Sequence, residues 1–150
     1  MAIARGAGTE IIRTVHFEQV NDSASQCLIF GEQHHIYTVL NIIVFASAVN
    51  ASGDWVRVSL SPAYDSKAGT ANEIVYLFEQ GLNARETFVW NDKFCFNGHG
   101  PADFTGPMDD ATKQNAIADQ GGTVQKLIVE VEHASDNFDI SCSFIDQNNA

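Results

Sequence analysis

"TVQKLIVEVEHASDNFDISCSFID", residues 123–146, holds two runs of strict alternation separated by a turn signal. In the first run Leu127, Val129 and Val131 share one parity, and Ile128, Glu130 and Glu132 the other. In the second, Phe138, Ile140, Cys142 and Phe144 alternate with Asp139, Ser141 and Ser143. Successive side chains of an extended chain point to opposite faces, so a period of two places the apolar set against a core and the polar set in solvent. "SDN", residues 135–137, marks the turn between them. The same pattern recurs upstream. Residues 10–20 set Ile11, Val15 and Phe17 against Ile12, Thr14, His16 and Glu18, and "QCLIF", residues 26–30, is a short second strand ending at Gly31.

"IYTVLNIIVFASAVN", residues 36–50, is long enough for one bent strand or two, with Asn41 at the break. "NASG", residues 50–53, is a turn, and "DWVRVSLS" then alternates Val56, Val58 and Leu60 against Trp55, Arg57, Ser59 and Ser61, which reads as a hairpin. Pro62 and "DSKAGTAN", residues 65–72, interrupt the pattern before "EIVYLFEQ", where Ile74, Tyr76 and Phe78 are expected on one face. "ETFVW" and "KFCFNG" are strands, with "ND", residues 91–92, as a tight turn. From Gly98 to Gly122 the chain is polar and holds two of its three prolines and five of its eleven glycines, a long loop or insertion with one helical turn in residues 108–118. "DQNNA" reads as a frayed tail, taken to begin at Gln147.

Short antiparallel strands with turn signals about every ten residues predict an all-β fold, because each sheet must bury its apolar face against another. The expected architecture is one domain over residues 1–150, a two-sheet antiparallel β-sandwich, jelly-roll-like or immunoglobulin-like. A chain of 150 residues buries about 68 to 70 per cent of its unfolded surface, so one core suffices. The 8 basic and 19 acidic residues give a net charge of −11. That field repels phosphate, so neither nucleic acid nor an anionic membrane is an expected partner. No apolar block of signal-peptide length opens the chain, and no run reaches the length of a membrane span. Cys27, Cys95 and Cys142 are odd in number and lie in β-prone surroundings, which fits reduced thiols.

The search for chemistry yields little. His34 and His35 are adjacent on extended chain, so they cannot easily share a metal, and Val39 stands where a double-stranded β-helix site would want a carboxylate. The pair reads as the entrance to a strand. His16, His99 and His133 stand apart from acid clusters in the sequence. Asp103, Asp109 and Asp110 lack the register of a calcium loop, and no nucleophile elbow, P-loop or dinucleotide fingerprint occurs. The expectation is therefore a non-enzyme with no cofactor and no metal. Trp55 and Trp90 stand beside strand ends, where they can stack on a sugar ring; that is the alternative reading, a carbohydrate-binding sandwich. Packing is commoner for large aromatics. Phe104, Pro107 and Met108 give the polar loop an apolar tip and are the expected subunit-contact residues, on an arm that orders on assembly.

"IYTVLNIIVFASAVNASGDWVRVSL", "GLNARETFVWNDKFCFNG" and "FDISCSFIDQ" together resemble small β-sandwich structural proteins of tailed bacteriophage virions. The matching positions are Tyr37 to Val39, Asn50 to Gly53, Leu82 to Trp90 and Ser143 to Ile145, and the similarity runs over residues 34–146 outside the long loop. The Pro-x-Gly-Lys turn expected after Tyr-Thr-Val is replaced by "LNII", and the 25-residue insertion from Gly98 to Gly122 is not part of the pattern. The resemblance implies a structural role with no catalytic residues: capsid decoration or cement, or a neck, tail or baseplate component. It also implies a trimer or ring contacting itself and other virion proteins, assembled in the host cytoplasm.

Overall fold

The computed structural model describes residues 9–21, 26–65, 70–99 and 124–148. Its strands are β1 (Thr9–Val20), β2 (Gln26–Phe30), β3 (His35–Ala48), β4 (Asp54–Asp65), β5 (Thr70–Leu82), β6 (Thr87–Trp90), β7 (Phe94–Asn97), β8 (Lys126–Val131) and β9 (Asn137–Asn148). No helix occurs among the described residues. One sheet runs β1-β9-β3-β6 with β7 also on β3; the other runs β2-β8-β4-β5. All pairings are antiparallel.

The order of the pairings identifies the topology. The first strand pairs with the last, β2 with β8, β3 with β6 and β7, and β4 with β5. The chain is thus one long hairpin, nested pair within pair and rolled into two sheets, which is a jelly roll. The immunoglobulin alternative, with neighbouring strands paired and sheets divided differently, does not apply.

The alternating apolar sets meet between the sheets. Val39, Ile42 and Val44 of β3 and Phe138, Ile140 and Cys142 of β9 face Val56 and Val58 of β4 and Leu127 and Val129 of β8, all fully buried. Phe78 of β5 packs on Phe88 and Trp90 of β6, with centroids 5.1 and 6.3 Å apart, and closes one flank between the sheets.

Five local expectations change. "NASG" does not close a hairpin: β3 and β4 belong to different sheets, and the turn carries the chain across the sandwich. A turn signal states that the chain bends, not which sheet the next strand joins. β6 and β7 do not reverse at "ND" either. They pair end to end along β3, β7 against Ile36–Val39 and β6 against Ile42–Phe45, as one interrupted strand. The break at Asn41 is an irregularity in one continuous β3, located between Val39 and Asn41 in its pairing with β9. In β5, Val58 pairs with Phe78 while Ser59 pairs with Tyr76, so a bulge at Leu77 splits the predicted face: Phe78 packs on the core and Tyr76 lies exposed. Finally, Gln147 and Asn148 are not tail but paired strand, with Asn148 opposite both His35 and Thr9.

Candidate functional site

The outer face of the five-stranded sheet is built from the polar parities of β1, β9 and β3. One row across it is Ile12, Ile145, Thr38 and Cys95; the next is Thr14, Ser143 and Asn41; the third is His16, Ser141, Ile43 and Val89. None of these residues is Asp, Glu, Lys or Arg. Short side chains satisfy one another laterally: Thr14 and Ser143 hydroxyls lie 3.0 Å apart, His16 Nδ1 and Ser141 Oγ 3.2 Å, and Thr38 Oγ1 and Cys95 Sγ 3.4 Å. Ile12, Ile43 and Val89 stand exposed among them. Acids return at the rim, with Glu10 opposite Gln147 and with Asp139, whose carboxylate accepts the Gln19 N–H at 3.0 Å.

The outer face of the other sheet has the opposite character. Arg57 of β4 donates to Glu130 of β8 and to Glu79 of β5 at 3.4 Å, and its guanidinium lies 4.5 Å from the Trp55 ring centroid and 5.1 Å from that of Tyr76. Glu130 raises the Arg57 pKa further by this hydrogen bond. Lys126 extends the pattern over Phe30, 5.1 Å from its ring. The charges of this face pair with one another and with its rings, while Phe30 and Tyr76 stand exposed and Arg57 Nε is buried without a hydrogen-bond partner among the described residues.

Two side-chain clusters cap the ends. At the end where β3 crosses to β4 and β8 to β9, Asp136 is fully buried and its two oxygens accept the N–H groups of Asn50 at 2.8 Å and His133 at 2.9 Å. Beside it, Asp54 Oδ2 accepts the Ala51 N–H at 2.8 Å and Glu132 Oε2 the Trp55 N–H at 3.0 Å. Their other oxygens face His133 Nε2, at 4.0 Å for Asp54 Oδ1 and 3.9 Å for Glu132 Oε1. At the opposite end His35 Nδ1 sits 2.6 Å from Asp146 Oδ1, Arg13 Nε donates to Asp146 Oδ2 at 3.1 Å, and His35 Nε2 is 3.4 Å from Glu32. Burial pushes the neighbouring Tyr37 phenol up to about 12; the hydrogen bond from the Glu32 N–H opposes this, and the carboxylates of Asp146 and Glu32 add to it. A cleft of about 200 Å³ between Arg13, Phe30, Glu32, Tyr37 and Asp146 opens beside this group.

The residues singled out from sequence are distributed as follows. His35 opens β3 and faces two carboxylates, while His34 precedes it in left-handed backbone, φ 67°. Trp90 is partly buried, stacks on Phe78 and packs against the core. Trp55 lies on the outer face under Arg57. Phe104, Pro107 and Met108, with Asp103, Asp109 and Asp110, lie outside the described residues. All three cysteines are free; burial raises the Cys142 thiol to about 12 and that of Cys27 in the same direction. The expectation that His133 stands apart from acids is overturned, because the rolled hairpin brings Asp54 to the end of β8. Glu132-His133 was visible as a pair in the sequence, but no local signal points to a partner in the other half of the chain.

No protein-family model matches the chain, and no curated protein matches it. Among solved structures it is similar to a protein of Bacillus endospore appendages, which form a novel family of disulfide-linked pili, at 10% identity and a TM-score of 0.45, covering 100% of this chain and 97% of that one. It is also similar to a chain of infectious bursal disease virus Gx strain, at 10% identity and a TM-score of 0.48, covering 99% of this chain and 35% of the viral one.

Proposed function

We propose that this chain is a non-enzymatic structural subunit that works by self-association, with the outer face of the five-stranded sheet as its contact surface. The observation that carries the reading is the charge-free patch of Ile12, Thr14, Thr38, Ile43, Val89, Ser141, Ser143 and Ile145 on a protein of net charge −11. Copies of so acidic a chain repel one another on average, and a face without charged side chains adds nothing to that repulsion. The cores of protein interfaces are depleted of charged residues, and this patch has that composition. A closed ring or trimer is the geometry to expect of such a subunit. The finer assignment, to a bacteriophage virion as a decoration, cement, neck, tail or baseplate component, rests on the sequence resemblance over residues 34–146. Phe104, Pro107 and Met108 are proposed as a second contact on the same sequence grounds.

Light scattering tests the contact surface. The wild type is expected to form a defined oligomer, and Ile43→Glu, at an exposed position, to weaken association by about 2 kcal/mol or more, roughly 30-fold, with an unchanged melting temperature. A strictly monomeric wild type, or an oligomer indifferent to both Ile43→Glu and Ser143→Glu, overturns it. For the finer reading, mass spectrometry of purified particles must find the chain in copies that a symmetric ring requires.

A further inference from the structure

We infer that Asp54, Glu132 and His133 form a site for a first-row divalent transition ion, of which Zn²⁺ is the working example. The donor atoms of all three lie within 4.8 Å of one another. Each carboxylate is already oriented for the task. Asp54 spends Oδ2 on the Ala51 N–H and Glu132 spends Oε2 on the Trp55 N–H, which leaves Oδ1 and Oε1 turned toward His133 Nε2. Backbone donors that fix a carboxylate's second oxygen are the outer-sphere support that ligands of this kind use. His133 is held in turn through its own N–H, bonded to the buried Asp136.

The burial of Asp54 points the same way. Its side chain is only 6% exposed, and Oδ1 faces His133 Nε2 at 4.0 Å, beyond hydrogen-bond reach and with room for an ion between the two atoms. A cation between Oδ1, Oε1 and Nε2 gives these three converging donors a common partner. An ion about 2.0 to 2.2 Å from each donor needs the three drawn closer together, and the Glu132 and His133 side chains, both partly exposed, have room to rotate toward it. One imidazole nitrogen with two carboxylate oxygens suits zinc and its first-row neighbours, whereas calcium and magnesium take oxygen alone. Water completes the coordination. The ion would tie the start of β4 to the end of β8, neighbouring strands of the four-stranded sheet, beside the segments by which the chain crosses to the other sheet.

Calorimetric titration of metal-free full-length protein with zinc chloride, paired with thermal melts in zinc and in chelator, tests the site. One ion per chain and a higher melting temperature in zinc are expected. His133→Ala, whose side chain is half exposed, should fold and lower zinc affinity by more than about 100-fold, since losing an outer-sphere partner alone costs about 10- to 100-fold. Asp54→Asn, which keeps an acceptor for Ala51, should weaken binding while the chelated protein melts as wild type does. His35→Ala should leave zinc binding intact. No saturable binding, or binding that survives His133→Ala, overturns the inference. So does a wild type whose melting temperature ignores zinc while His133→Ala lowers it in chelator, the signature of a plain His133 ion pair.

Discussion

At one end of the sandwich side-chain carboxylates hold backbone N–H groups, and at the other backbone holds backbone across two glycines. The first end is tied by Asp136 to Asn50 and His133, by Asp54 to Ala51, by Glu132 to Trp55 and by Glu86 to Asn83. At the second, Gly98 donates to His35 at 2.8 Å, Gln125 to Gly98 at 2.9 Å and Gly31 to Gln125 at 2.9 Å, a ladder that joins β3, β7, β8 and β2 and therefore both sheets. A side-chain acceptor reaches a few ångströms and tolerates some latitude in the turn it ties. A backbone ladder demands that the chains themselves touch, and only glycine permits it here. The same task, closing a rolled hairpin, is done by chemistry that can be tuned at one end and by sterics that cannot at the other. From the steric end the segment between His99 and Val124 departs, its base closed by a bridge between those two residues.

The sharpest way to break this contrast is to add one carbon to the ladder. A Cβ at Gly98 would sit 1.9 Å from the Glu32 carbonyl oxygen, and one at Gly31 2.0 Å from that of Gly98. Both obstacles are backbone, so neither can swing aside. Gly98→Ala should therefore cost more than about 3 kcal/mol, at the upper end of overpacking effects, in a denaturant melt followed by circular dichroism. A loss under 1 kcal/mol would show that the ladder yields and that the two ends are not different in kind. Next in size comes Asp136→Ala at the carboxylate end. It removes a fully buried side chain and leaves the part-buried N–H groups of Asn50 and His133 without their acceptor, a loss of about 2 to 4 kcal/mol. Asp136→Asn keeps one acceptor and should recover part of it.

These ends also mark how far the sequence can be read. The alternation of Phe138, Ile140, Cys142 and Phe144, and of Val56 with Val58, is a local property and maps directly onto burial in the structure. The pairing of β1 with β9 is not local, since any alternating strand can face any other, and "NASG" therefore gave a turn without its destination. Tyr76 fell on the wrong face because a bulge at Leu77 shifts the register between it and Phe78, and a bulge leaves no mark in a hydrophobic pattern. The charge-free face was legible residue by residue, as Thr14, Ser141 and Ser143, but it becomes a surface only when register sets those rows side by side. Gly31 and Gly98 were visible as turn formers; that they meet each other was not. Asp54 and His133 failed to register as neighbours for the same reason.

The smallest expected effect separates the two ends by pH. At the glycine end the Tyr37 phenol, its pKa raised by burial to about 12, stays protonated in the fold after the unfolded chain has begun to ionise near its ordinary value of 10. Its contribution is therefore complete below pH 10 and is lost as pH climbs toward 12, by at most about 1.4 kcal/mol for each unit. The buried Cys142 thiol, raised to about 12 from 9.0, acts in the same direction and begins one unit lower. At the carboxylate end Glu86 works with the opposite sign. Hydrogen bonds from the N–H and side-chain amide of Asn83 hold its pKa below the ordinary 4.5, so its contribution is complete above that value and is lost as pH falls through the lowered one. With stability followed from acid to alkaline pH, each variant should thus change the slope of one limb alone. Tyr37→Phe should flatten the decline above pH 10, at a cost near neutrality of about 1 kcal/mol for the hydrogen bond lost by the Glu32 N–H. Glu86→Gln should leave that alkaline limb untouched and soften the acid one, by a small amount because Glu86 is exposed to solvent and salt. An alkaline limb unchanged in Tyr37→Phe, or an acid limb unchanged in Glu86→Gln, would show that the end in question does not draw its stability from the group assigned to it.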